Sequence, residues 1–190
     1  MKCFETLRVH DGKISHIDYH NRRLNDTRNA LWGENEPLDL RSYISPPLHG
    51  LYRCKVIYGP QIEKVEFHPY TPQAIASLKL IEAAIDYPYK FLDRRAIDEA
   101  FAKRGSADDI LIVKEGLITD TSKANIAFFY KGRWLTPAIP LLQGTTRARL
   151  LDLRVIDTAY IEISDIKKFE KIALLNAMIG FFELQDCIIF

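Results

Sequence analysis

Along the first nine residues apolar and polar side chains alternate: Cys3, Glu5, Leu7 and Val9 fall on one side of an extended chain, Phe4, Thr6 and Arg8 on the other. This period of two predicts a strand, and Asp11-Gly12 just beyond it predicts a hairpin turn. From residue 15 to about 32 the spacing lengthens. Ile17, Leu24 and Leu31 recur on a helical period among Asp18, Arg22, Arg23, Asn25 and Arg28, which predicts the first helix. Gly33, Pro37, Pro46, Pro47 and Gly50 punctuate the next stretch, where a short helix fits, and residues 51–58 and 62–70 read as two strands around Gly59-Pro60.

Two prolines within residues 69–73 mark a boundary. It divides an N-terminal α+β domain, residues 1–75, from a β-rich C-terminal domain, residues 76–190. The second domain opens with a strand-like run at 77–85 and a helix at 94–104. Strands at 110–113 and 117–119 meet at Glu115-Gly116, and strands at 125–130 and 134–136 meet at Lys131-Gly132. Residues 145–153 read as a helix behind Gly144, residues 164–169 as a short helix capped by Ser164, and residues 171–180 and 185–190 as closing strands. The elements interleave without a strict βαβ rhythm or an internal repeat. The expected class is therefore α+β: two small mixed domains with mostly antiparallel strands.

Composition narrows the function. In 190 residues, 47% are hydrophobic and 27% charged, a globular balance with enough chain to enclose a site. Lys and Arg number 26 against 25 Asp and Glu, so no broad field draws the chain to nucleic acid or an anionic bilayer. No segment reaches the roughly 20 apolar residues of a membrane span, and no apolar leader precedes the first strand. Cys3, Cys54 and Cys187 are odd in number and far apart, which points to a reducing, cytoplasmic setting and to no zinc or redox pair; the five histidines are likewise scattered, so no metal is expected.

Hydrolase, metalloprotease and P-loop motifs are missing. What stands out is a dispersed set. Gly144-Thr145-Thr146 at a helix start offers free N–H groups, two hydroxyls and the positive end of a helix dipole, a cup for a phosphate monoester. Arg23 can add a bidentate contact. Lys90 follows the aromatic segment at 85–89, where partial desolvation would free its amine for Schiff-base chemistry. Asp120 follows a strand and can hold a positive ring nitrogen. Phosphate cup, amine and carboxylate are the parts that pyridoxal phosphate requires. Taken singly, each residue also has an ordinary structural reading as cap, turn or solvated face.

In their order these residues resemble the class IV aminotransferase family, the fold type IV pyridoxal-phosphate enzymes, and within it the aminodeoxychorismate lyases. The resemblance runs from Phe4 to about Gly180. Phe4-Glu5-Thr6-Leu7-Arg8-Val9 is similar to the family's early strand, and His20 to Leu24 to its H-x-x-R-L helix, which makes Arg23 the phosphate arginine. Lys90 with Asp93 and Arg94 is similar to K-x-x-N-R, which makes Lys90 the Schiff-base lysine. Asp120 stands where the family carries a glutamate on the pyridine nitrogen, Asn125 matches the asparagine closing that turn, and Gly144, Thr145, Thr146 and Arg147 match the phosphate cup.

The resemblance implies a cofactor site between the two domains of a homodimer. It also implies a small-molecule amine substrate, and it makes Thr6 a proton donor and Asn176 a residue lining the site, with Arg53 or Arg8 as carboxylate contact. The implied reaction converts 4-amino-4-deoxychorismate to 4-aminobenzoate and pyruvate in folate synthesis. The alternatives are a branched-chain-type transaminase and a catalytically weak cofactor-binding protein. Departures are Asp120, one methylene short of glutamate, Asp93 in place of asparagine, Arg95 where branched-chain enzymes have tyrosine, and Tyr58 where D-amino acid transaminases have arginine. The family's earlier N-terminal hairpin has no counterpart ahead of Cys3.

Overall fold

The computed structural model describes residues 1–190, and the chain forms two compact units. Unit 1 contains Met1–Pro72 together with Tyr89–Asp93, and unit 2 contains Gln73–Pro88 and Arg94–Phe190. The short return segment is the point that chain order alone does not reveal.

Unit 1 begins with β1 (Cys3–His10) and β2 (Lys13–Ile14), followed by α1 (Ile17–Trp32), β3 (Leu51–Tyr58) and β4 (Ile62–Pro69). The strands form one antiparallel sheet in the order β2-β1-β3-β4. Alternation sorts the side chains: Cys3, Leu7 and Val9 of β1 and Cys54, Val56 and Tyr58 of β3 join Ile17 and Leu24 of α1, with Leu40 and Ile44, in one buried cluster. The helix starts after His16, a residue in the left-handed region, rather than at Ser15, and ends on Gly33. Leu40–Ser42 is a single 3₁₀ turn capped by the Asp39 side chain.

Tyr89–Asp93 extends this sheet at the start of β1. The Phe4 N–H donates to the Lys90 carbonyl, the Leu92 N–H donates to the Lys2 carbonyl, and Cys3 and Phe91 are antiparallel partners. Partners in register share a face. Phe91 packs against the core, so Lys90, one residue away, points to the opposite face with Phe4.

Unit 2 contains β5 (Ser77–Glu82), α2 (Arg95–Ala102), β6 (Asp109–Lys114), β7 (Leu117–Thr121), β8 (Asn125–Tyr130), β9 (Arg133–Pro137) and α3 (Thr145–Asp152). It closes with β10 (Ile156–Ala159), β11 (Lys171–Asn176), β12 (Gly180–Leu184) and β13 (Ile188–Ile189). Nine strands form a sheet of order β10-β9-β8-β7-β6-β5-β13, with β11 pairing β8 and β12. Most pairings are antiparallel, as expected, but β5–β6, β9–β10 and β5–β13 are parallel. The turns at Glu115-Gly116 and Lys131-Gly132 both have positive φ at each central residue, the twist that suits a two-residue hairpin.

Three sequence readings shift. Residues 156–159 form β10, which their mixed pattern conceals. The short helix at 163–168 is capped by Glu162 and Asp165 in a capping box, not by Ser164. The closing strands expected at 171–180 and 185–190 are three: β11 ends at Asn176, β12 spans Gly180–Leu184, and only Ile188–Ile189 of the last stretch is a strand. No helix is long and apolar enough to cross a membrane.

Candidate functional site

In unit 1 the inward row of β1 contains one charged residue, Glu5, which is fully buried. Two residues of α1 meet it at a spacing of three, one helical turn. Arg23 donates from Nε and Nη2 to the two carboxylate oxygens at 2.8 and 2.6 Å, and Nδ1–H of His20 donates at 2.7 Å. Burial opposes the Glu5 charge, yet the Arg23 guanidinium and the bonds from His20 and Arg23 outweigh it and hold the carboxyl at about 2. Burial pushes the His20 ring below its ordinary value against the pull of Glu5, so His20 is neutral. Arg23 keeps 14% of its side chain exposed.

The outer face of the same sheet is cationic. Arg8 is opposite Arg53, and Thr6 is opposite Lys55. Beside them Lys90 and Lys55 hold their ammonium groups 4.6 and 5.2 Å from the centroid of the Phe4 ring. Thr6, Arg8, Arg53 and Lys90, all named from the sequence, therefore share one face, and the structure adds Lys55 and Phe4. Tyr58 belongs to the other face, fully buried against Trp32.

In unit 2 the turn 121–124 brings Asp120 and Asn125 into register as cross-strand partners. Asp120 is 5% exposed. One carboxylate oxygen accepts from Asn125 Nδ2 at 2.7 Å and the other from the Leu142 N–H at 3.0 Å. Burial pushes its carboxyl up to about 6, opposed by those two donors, by the Leu141 amide and by the charge of Arg147. Nearby, α3 begins at Gly144 with Thr145, Thr146 and Arg147 all buried. Arg147 is held by the Pro137 carbonyl and Gln143 Oε1. Asn176 accepts at Oδ1 from the N–H groups of Met178 and Ile179, tightening the turn after β11.

The sequence-derived set thus divides between units: Thr6, Arg8, Arg23, Arg53 and Lys90 lie in the first, Asp120, Asn125, Gly144, Thr145, Thr146 and Asn176 in the second. Sequence reasoning missed Glu5 and His20. The available signal was a charged residue in the inward parity of an otherwise apolar strand, which requires a buried partner.

The fold and these residues define a class. The sequence profile of the class IV amino-transferases matches residues 90–186, and the chain belongs to that family, whose aminotransferases and aminodeoxychorismate lyases are pyridoxal-phosphate enzymes. An uncharacterized protein of Haemophilus influenzae is 34% identical, over 93% of this chain and 97% of its own length. A candidate 4-amino-4-deoxychorismate lyase of Haemophilus somnus 129pt superposes with a TM-score of 0.87 at 31% identity, covering 94% of this chain and 97% of that one. A hypothetical aminotransferase of Mycobacterium tuberculosis, in its pyridoxal-phosphate-bound form, shares the fold at a TM-score of 0.77 and 18% identity, covering 96% of this chain and 80% of that one. The mixed, mostly antiparallel architecture is that of fold type IV.

Proposed function

We propose that this chain binds pyridoxal phosphate and converts 4-amino-4-deoxychorismate to 4-aminobenzoate and pyruvate, the chemistry of folate synthesis, as a cytoplasmic homodimer. The observation that carries the reading is the pairing in unit 2 of a buried carboxylate, Asp120, with a helix start of buried hydroxyls, Gly144-Thr145-Thr146. The residues present fit the group. The N–H groups and dipole at the start of α3, with Thr145 and Thr146, suit a phosphate dianion. Arg23, held by Glu5, is the phosphate arginine that the family resemblance implies. Asp120 is met by the Asn125 amide and by the Leu142 and Leu141 N–H groups, and a carboxylate has about four acceptor positions, so it can take a further N–H from a ring nitrogen.

Pyridoxal phosphate, when bound, supplies an aldehyde that condenses with amines and a protonated ring that accepts an electron pair from the amine-bearing carbon. Lys90 provides the amine that holds the cofactor and, once displaced by substrate, the base that takes the proton from that carbon. Asp120, ionised above about pH 6, keeps the ring nitrogen protonated. Thr6, on the Lys90 face, returns a proton to the departing enol. Arg8 and Arg53 offer charge to a substrate carboxylate from the same face. Asn176 lines the substrate side.

Purified protein should show a visible absorbance band that borohydride fixes onto Lys90, and Lys90→Ala should lose the adduct. An adduct retained in Lys90→Ala would remove the Schiff-base assignment. Release of 4-aminobenzoate from aminodeoxychorismate is expected. The family's name favours a second reading, an amino-acid transaminase. Turnover with amino donors and 2-oxoglutarate, with no 4-aminobenzoate released, would establish it in place of the lyase.

A further inference from the structure

The Asn125 side chain is enclosed by groups from two stretches of chain, Asp120 on β7 and the segment from Leu142 to Gly144. Its Nδ2 donates to Asp120 at 2.7 Å and to the Leu142 carbonyl at 2.9 Å. Both partners are acceptors, so the orientation of the amide follows from chemistry. Its Oδ1 lies where a side chain on Gly144 would begin: a Cβ there would stand 1.9 Å from Asn125 Oδ1 and 3.1 Å from its Cγ. Gly144 has φ −71° and ψ 142°, a conformation open to any residue. Its lack of a side chain is therefore explained by the space Asn125 occupies and not by backbone geometry.

Resting on the function proposed above, we infer that Asn125 is a positioning residue rather than a cofactor contact: its amide ties the Asp120 carboxylate to the start of α3 and to residue 142, so that the ring-nitrogen partner and the phosphate cup are set as one piece. The D-x₄-N spacing follows from the four-residue turn that makes residues 120 and 125 cross-strand partners. Both donor hydrogens of the amide are used by these two acceptors. Arg147 is the charged group whose field reaches Asp120 from α3. The tie explains how an aspartate, shorter than glutamate, can be held at a fixed position.

The test is a double-mutant cycle of Asn125→Ala and Gly144→Ala in the full chain, with two readouts. The first is the titration of the Asp120 carboxyl by carbon NMR before any cofactor is added. Removing the Asn125 donor disfavours the charged form, so the midpoint should rise in Asn125→Ala by about one pH unit. Gly144→Ala should raise it similarly, because the new methyl displaces the amide. The second is pyridoxal phosphate affinity from the visible band. Each single variant should lose roughly tenfold, the effect of one lost buried hydrogen bond, and the double variant should be no weaker than Asn125→Ala alone.

Losses that multiply in the double variant, or a Gly144→Ala protein with an unmoved Asp120 midpoint, would overturn the inference. If Asn125→Ala does not fold, Asn125→Ser takes its place in the cycle. A wild-type chain that binds no pyridoxal phosphate would remove the functional proposal, and the titration arm would then decide the Asn125 linkage by itself.

Discussion

Glu5 carries the most consequence per atom in unit 1. A carboxylate with no exposed surface is tolerated because Arg23 and His20 supply three hydrogen bonds to it. Its folded value of about 2 lies below the ordinary 4.5. A depressed carboxyl contributes stability that is complete above the unfolded value and lost as pH falls toward the folded one. Glu5 should therefore contribute on the order of 3 kcal/mol above pH 4.5, disappearing between about pH 4.5 and 2. Glu5→Gln should lower the urea midpoint at pH 7 by an amount corresponding to roughly 3 kcal/mol. It should also flatten the acid limb of stability against pH. An acid limb with the wild-type slope would show that Glu5 does not titrate in this window. Asp120 has the opposite sign: its raised carboxyl favours the folded state when protonated, so its contribution declines as pH rises from about 4 to about 6.

At the scale of elements, Arg28 of α1, which is 1% exposed, ties the helix to two connections. Its guanidinium donates to the Pro60 carbonyl at 2.8 Å, the Glu36 carbonyl at 2.7 Å and Asn25 Oδ1 at 3.0 Å. One side chain thus fastens both the segment after the helix and the β3–β4 turn. Arg28→Leu would remove these three charge-assisted hydrogen bonds, at a cost of about 3 kcal/mol. Amide hydrogen exchange around residues 34–38 and 59–61 should accelerate before that of β1 or β3. Uniform acceleration across unit 1 would mean that Arg28 stabilises the whole sheet rather than these two connections. Many elements were legible in the sequence because their signals are local: Glu115-Gly116 and Lys131-Gly132 announce hairpins, and the helical period of Ile17, Leu24 and Leu31 announces α1. β10 was hidden because a four-residue strand pairing in parallel has no hairpin to mark it. The return of Tyr89–Asp93 to unit 1 was hidden because its hydrogen bonds go to Lys2 and Phe4, nearly ninety positions earlier.

Across the whole molecule, a net charge of +1 conceals an uneven distribution: Arg8, Arg53, Lys55 and Lys90 gather on one face of the unit 1 sheet. The three thiols are all unpaired, and burial pushes Cys3 to about 11, Cys54 to about 12 and Cys187 to about 11. Native protein at pH 8 should react slowly with a thiol reagent and take up three equivalents once unfolded in urea. Reductant should leave the thermal midpoint unchanged; a midpoint that drops would reveal a disulfide between copies.

The sequence by itself determined the class of the chain through the order of its motifs, and most of its strands and helices, since turn and periodicity signals depend on neighbours within about ten positions. Only the tertiary structure decided that Glu5 and His20 stand behind Arg23, that Lys90 shares a face with Thr6, Arg8 and Arg53, and that Asn125 fills the space Gly144 leaves open. Those relations are set by strand register and by the close approach of distant backbone, and neither leaves a periodic mark on the chain.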